Sequence, residues 1–324
     1  MKTFKCVCGQ IIYFDNTHCL NCGERVGFDP ASMDMVNTDL SGHQVCHNSL
    51  KYNVCNWVIE KNESGPLCKS CRITQITPNL STIENIKRWR ILESAKRRLL
   101  YSLLKLNLPI AADPVNKHPA LGFEFLEDQS TNPLVAEEYV RTGHTMGVIT
   151  INTSEADDVQ REITRSLMKE AYRTPLGHCR HESGHYFYDR LIKNSEYRSS
   201  FVELFGDAEL DYEAALADYY SNPPRHQPEA GYISLYAHSH PLEDWAECWA
   251  HYLHIIDTLE TARNANIIDS QEDDWIHDWL RLSVILNELN SSMGQSFAYP
   301  FVLTQRVIIK LRFIHQVAGQ LPPS

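Results

Sequence analysis

Between Ser81 and Asn107 apolar residues recur every three or four positions, at Trp89, Leu92, Ala95, Leu99, Leu103 and Leu106, with Lys87, Arg88, Arg97 and Arg98 flanking the stripe. That period predicts one long amphipathic helix. A second helical pattern runs over Val159–Tyr172 through Ile163, Leu167 and Ala171; Thr174-Pro175-Leu176-Gly177 breaks it, and a new helix leads into Tyr186, Phe187, Leu191 and Ile192. A third, Pro241–Tyr252, sets Trp245, Ala246, Trp249 and Ala250 among acidic residues. Gly147–Asn152 alternates apolar and polar like a half-buried strand, either a core strand or an edge that pairs with extended peptide. Asp207–Arg225 reads as a helix and then a break at Pro223-Pro224, a candidate flap. Pro109, Ala111, Asp113, Pro114 and Pro119 form a breaker-rich connection. The expected organisation is a cysteine-rich region over 1–80, a basic helix and linker over 81–112, and a mostly helical α+β domain with a small sheet over 113–324.

The chain has 324 residues, 43% hydrophobic and 22% charged, which is a globular composition with room for a core. Its most apolar stretch, Leu99–Ala112, contains Ser102, Lys105 and Asn107 and falls short of the ~20 residues that cross hydrocarbon, so no membrane association is expected. Residues 1–22 have no apolar core followed by a small-residue cleavage site, which makes the cytoplasm the expected compartment. The net charge of -11 is unevenly spread: residues 1–110 carry +5 and the remainder -16.

Eight of the ten cysteines precede Arg72 in close pairs, a distribution that suits metal better than disulfides. Cys6, Cys8, Cys19 and Cys22 form a CxC, ten residues and a CxxC, with Gly9 and Gly23 directly after each pair. Two such pairs brought together by a hairpin offer four thiolates to one Zn²⁺, the signature of a zinc ribbon. Cys46, Cys55, Cys68 and Cys71 make a looser second set. His18, His43 and His47 lie nearby, but the complete cysteine sets favour sulfur and leave the histidines to the surface. A site closed by four sulfurs has no open coordination position, so both zinc ions are expected to be structural. Two ions with eight thiolates would add about -4 to the head, which weakens any electrostatic case for nucleic acid.

His181-Glu182-Ser183-Gly184-His185 is an HExxH. On a helix, positions i and i+4 share one face, so both imidazoles can bind one ion while Glu182 reaches its water. A catalytic zinc needs a third protein ligand. Glu243, Glu247 and His251 are spaced i, i+4, i+8 on one face of an otherwise apolar helix, where unpaired charge would be costly. Spacing alone leaves the choice among them open. His178, His238, His240 and His251 are further partners for a proton or an oxyanion, each with a structural role as the simpler reading.

Taken together, Arg173-Thr174-Pro175-Leu176-Gly177-His178, the pentamer, Phe205-Gly206-Asp207 and Tyr236–His254 resemble the bacterial zinc-binding metallopeptidases that carry an N-terminal zinc ribbon. That family is similar to the gluzincins, and the Tyr236…Glu243…Glu247 spacing is similar to that of lethal-factor-like peptidases. The resemblance implies a zincin domain in which His181, His185 and Glu243 hold the catalytic zinc and Glu182 is the general base. It also implies that Tyr236 stabilises the transition state and that Glu247 orients a ligand imidazole. Zinc in such a site acidifies a water to a pKa of about 7 and polarises the substrate carbonyl, and Glu182 passes the proton to the leaving amine. The expected activity is hydrolysis of a peptide or protein, with one catalytic and two structural zinc ions. The alternative is a ribbon that binds nucleic acid or a protein partner, joined to a zincin domain of weak or no activity.

Overall fold

The computed structural model describes residues 1–167, 170, 172–222, 228–269 and 274–319. It divides into two compact units, Met1–Ile163 with Thr174–Cys179, and Thr164–Arg173 with the chain from Arg180 onward. Helices dominate and the sheets are small, so the mostly helical α+β expectation holds. Among the described residues, no helix is long and apolar enough to cross a membrane.

The first unit opens with three two-stranded antiparallel ribbons: β1 (Phe4–Lys5) with β2 (Ile11–Ile12), β3 (Val26–Asp29) with β4 (Asp34–Asn37), and β5 (Gln44–Val45) with β6 (Val58–Ile59). Strands this short cannot bury much by themselves. An aromatic cluster supplies the core, with Phe14 and Phe28 at 5.0 Å, Phe28 and Trp57 at 5.0 Å, and Phe14 and Tyr101 at 5.5 Å between ring centroids. Tyr101 comes from helix α1 (Ile83–Lys105), which buries Trp89, Leu92, Ala95, Leu99 and Leu103 as its period predicts.

The four arginines of α1 are taken up within this unit. Arg88 pairs with Asp157 at 2.9 Å, Arg90 donates to the Asn53 carbonyl at 2.8 Å, and Arg97 and Arg98 reach the Val54 carbonyl and Asp15. Lys96 and Glu93, fully buried, pair at 2.8 Å, and the Lys96 ammonium also donates to the Ser70 carbonyl at 2.9 Å. Beside that pair lies a mixed sheet ordered β7 (Thr74–Ile76), β8 (Gly122–Leu126), β10 (Val148–Asn152), β9 (Gly143–Thr145). Strand β10 pairs with β8 in parallel and with β9 antiparallel. It is therefore an interior strand with both hydrogen-bonding edges occupied, and the peptide-pairing role considered for Gly147–Asn152 does not apply to it.

Helix α2 (Asp158–Leu167) covers only the first part of the second helical pattern: Glu170 and Tyr172 are not helical, and Val159 and Ile163 are exposed, while Ala171 and the side chain of Leu167 lie outside the described residues. Thr174–Gly177 is not a break. Helix α3 (Pro175–Phe187) starts inside it, because proline suits the first helical position and Thr174 Oγ1 accepts from the Gly177 amide at 3.0 Å. A π turn, Tyr188–Ile192, ends α3. Then come α4 (Arg198–Phe205), α5 (Tyr212–Ser221), α6 (Pro241–Asn264), α7 (Trp275–Ser292) and α8 (Gln305–Gly319). Helix α5 occupies part of the candidate flap, while Pro223, Pro224 and Arg225 lie outside the described residues.

Helix α6 is the axis of the second unit, with α4, α7 and α8 packed around it. Its Trp245 and Trp249 are fully buried, and Phe187 stacks on Trp249 at 4.8 Å. Each such tryptophan contributes about 5 kcal/mol by area, at about 25 cal/mol per Å². Both indoles also find partners, Trp245 Nε1 donating to the Gly184 carbonyl at 2.8 Å and Trp249 Nε1 to Ser183 Oγ at 3.1 Å. These bonds fix α3 against α6. From α8, Lys310 donates to the Gly231 carbonyl at 2.7 Å and to Asp244, whose carboxyl burial pushes up to about 6 despite that ammonium.

Candidate metal centres

In the first unit the sulfurs of Cys6, Cys8, Cys19 and Cys22 converge, and so do those of Cys46, Cys55, Cys68 and Cys71. Gly9 (φ 87°) and Gly23 (φ 78°) adopt left-handed conformations directly after the ligand pairs, where a side chain would be strained. The Sγ separations are 3.6 Å for Cys6 and Cys22, 3.7 Å for Cys8 and Cys19, and 3.6 Å for Cys55 and Cys68. A tetrahedron with zinc–sulfur bonds of about 2.3 Å has edges of about 3.8 Å, so the donors fit Zn²⁺ and lie too far apart for disulfides. All eight are free thiols. Burial holds the Cys55 and Cys68 thiols well above their ordinary range, so a cation must draw their protons off before that cluster can bind. Neither set needs a histidine. His18 and His47 are exposed, and His43 turns to Ser41 at 2.7 Å.

A third donor group lies wholly within the second unit and joins His181 and His185 of α3 to Glu243 of α6, with one ligand atom from each inside 4.8 Å of the others. The approach of the two helices depends on Gly184. A Cβ there would lie 2.8 Å from Ala246 Cα, so any larger residue would force α6 away from the imidazoles. His181 Nε2 donates to Glu243 Oε2 at 2.9 Å, and His185 Nε2 lies 3.4 Å from Glu243 Oε1. Nitrogen and oxygen ligands at about 2.0–2.2 Å from zinc stand about 3.3 Å apart in a tetrahedron, and the group fits that spacing.

The charges suit a cation as well. Burial works against ionised Glu243, but His185 and His181 outweigh it and hold the carboxyl well below its usual range. Burial would likewise lower His181, yet Glu243 and Glu247 hold its imidazole well above the ordinary value. In the metal-free chain a proton therefore occupies the place a divalent ion would take, and binding an ion expels it.

The two carboxylates that spacing could not distinguish both reach His181, one on each ring nitrogen. Glu247 Oε1 accepts from His181 Nδ1 at 2.8 Å. That bond fixes the ring orientation in which Nε2 faces Glu243. His251, the third member of the stripe, bonds instead to the Tyr299 hydroxyl at 2.8 Å. Glu182 is buried near the group. Tyr236, on a short 3-10 turn, sets its ring 5.9 Å from that of His181. Burial first, then the charges of Glu243 and Glu182, raise its pKa well above the ordinary value, so the phenol keeps its proton and remains a donor.

The other histidines have structural partners. His178 lies 3.3 Å from Glu155, and His238 stacks on Tyr232 at 3.9 Å. His240 caps α6, its Nδ1 accepting from the Leu242 amide at 3.1 Å while Nε2 donates to the Leu210 carbonyl at 3.1 Å. Sequence reasoning missed Tyr212, whose hydroxyl donates to Glu243 Oε1. Nothing in the sequence marks that tyrosine among fifteen.

Residues 85–317 match the family described as "Putative zinc-binding metallo-peptidase". The chain belongs to that metallo-peptidase family. Residues 3–82 match a zinc-ribbon domain, in keeping with the first cysteine cluster and with the resemblance drawn from sequence. Uncharacterized proteins of Mycobacterium bovis and Mycobacterium tuberculosis are 40% identical over 339 residues, covering 100% of this chain and 97% of the relative. No solved structure matches it.

Proposed function

We propose that the protein is a zinc-dependent peptidase with one catalytic and two structural zinc ions. The observation that carries this reading is the convergence of His181, His185 and Glu243 beside a buried Glu182, in a chain of a metallo-peptidase family. A zinc ion held by those three ligands would acidify a water and polarise the scissile carbonyl. Glu182 is the general base: it takes up the proton and later delivers it to the leaving amine. Tyr236 keeps its phenolic proton and donates to the developing oxyanion, a type of contact worth about 3 kcal/mol. Glu247 fixes the His181 ring so that Nε2 is presented for ligation. Within the first unit, the eight cysteines fold a segment whose short strands supply little core of their own. The engagement of Arg88, Arg90, Arg97 and Arg98 by neighbouring groups leaves the basic helix ill suited to nucleic acid, and a peptide or protein is the substrate this reading assigns.

The test compares wild type with Glu182→Gln on a peptide library. The variant should retain three zinc ions by native mass spectrometry and lose hydrolysis, and wild-type cleavage should stop when a chelator is added. Undiminished turnover by Glu182→Gln would reject the mechanism.

A further inference from the structure

Glu243 offers two oxygens, and they are not equivalent. Oε2 faces His181 Nε2 at 2.9 Å, whereas Oε1 accepts the hydroxyl of Tyr212 and lies 3.4 Å from His185 Nε2. Tyr212 is the first residue of α5, whose start is capped by Asp211 accepting from the Ala214 amide at 3.0 Å. The stretch just before it is fastened to α6 by His240, which bonds the Leu210 carbonyl on one side and the Leu242 amide on the other. The His240 ring also meets that of Tyr212 edge to face at 5.1 Å. One buried imidazole thus holds in register the tyrosine and the helix that carries the carboxylate. A carboxylate ligand with no second contact can rotate or bind through both oxygens; a phenol bonded to one oxygen removes that freedom.

Resting on the reading of His181, His185 and Glu243 as the peptidase's metal centre, we propose that Tyr212 is the positioning residue of that centre, its hydroxyl holding Glu243 Oε1 so that Oε2 is directed to the ion. The two phenols then divide the work. Tyr212 addresses a ligand, while Tyr236, set against the His181 ring, addresses the substrate. Helix α5 becomes part of the metal site, and Tyr219, two turns further on, places its ring 5.8 Å from that of Tyr236.

The experiment follows zinc transfer to a chromophoric chelator from the full-length, zinc-loaded protein, in wild type, Tyr212→Phe, Asp211→Ala and Glu243→Ala. Total zinc and melting temperature are recorded for each. Tyr212→Phe keeps the ring and should release one of its three ions about 10–100-fold faster than wild type, at an unchanged melting temperature and with the other two ions unaffected. Asp211→Ala weakens the helix start without touching the phenol and should release zinc within about threefold of wild type. Wild-type release from Tyr212→Phe, while Glu243→Ala is purified one ion short, overturns the role of Tyr212 alone. Equal acceleration by Asp211→Ala overturns it too, because helix stability would then be the cause, as does a lowered melting temperature or joint loss of all three ions in Tyr212→Phe. Three ions with wild-type kinetics in Glu243→Ala would remove the metal centre itself, and the proposal with it.

Discussion

Replacing Gly184 by alanine tests how the two halves of the metal site are brought together. The added methyl would lie 2.8 Å from Ala246 Cα, 3.2 Å from Ala246 Cβ and 3.2 Å from Trp249 Cβ. Non-bonded carbon atoms pack best about 3.5–4.0 Å apart, so α3 and α6 must separate by about 1 Å at that point. Rotamer changes cannot relieve the clash, because the nearest atom is backbone. Overpacking of this kind costs about 1–3 kcal/mol, and the better helix propensity of alanine offsets about 1 kcal/mol of it. The change in global stability should therefore be small. The metal site should suffer more, since Gly184 lies between His181 and His185 and metal–ligand distances tolerate about 0.2 Å. An error of about 1 Å in a reacting constellation lowers rates about 100-fold. Gly184→Ala should thus release its third zinc to a chelator at least 10-fold faster and lose about 99% of its peptidase activity, with a melting temperature within a few degrees of wild type. Adding Ala246→Gly takes away the methyl at 3.2 Å but leaves the backbone carbon at 2.8 Å, so rescue should be partial. Wild-type zinc affinity and activity in Gly184→Ala would refute the reasoning, because the helices would then have room to spare.

Glu243→Ala should be purified with two zinc ions, whereas Glu247→Ala should keep three and bind the catalytic one about 10–100-fold more weakly; metal analysis giving the reverse would exchange their roles. Cys55→Ser should cost one structural ion and expose the segment around residues 46–71 to trypsin, so an intact segment would mean that metal is not what folds it. His254 has its pKa lowered to about 3 by burial and by Arg180, whose Nη1 lies 3.3 Å from Nδ1. Between that value and the ordinary 6.5 the unfolded chain takes up a proton that the folded chain refuses, so stability falls as the pH drops, by about 1.4 kcal/mol per unit for this one group. Urea unfolding at pH 7, 6 and 5 should give His254→Asn a shallower loss than wild type by about that amount, and parallel slopes would count against a neutral His254 in the fold.

What the sequence reveals depends on how local the signal is. The stripe of α1 repeats over about five turns and is readable by itself, and the eight cysteines carry their own spacing. Thr174–Gly177 misleads because proline and glycine look like punctuation, although a proline after a threonine opens a helix as readily as it ends one. Whether Val148–Asn152 is an edge depends on Gly143–Thr145 and Gly122–Leu126, and no pattern within the strand reports its neighbours. Glu243 and Glu247 cannot be separated by spacing because, one turn apart on the same face of α6, they bracket the His181 ring and each reaches one of its nitrogens. Tyr212 is invisible for a related reason: its partner lies 31 residues further along and on another helix.

The bond between Lys310 and Asp244 joins groups 66 residues apart, and this separation orders events during synthesis. When α6 leaves the ribosome its buried aspartate lacks this counter-ion, since the ammonium that pairs with it belongs to an element not yet translated. An unpaired carboxylate resists burial, so α6 is fully packed at Asp244, one residue from Glu243, only once α8 is in place.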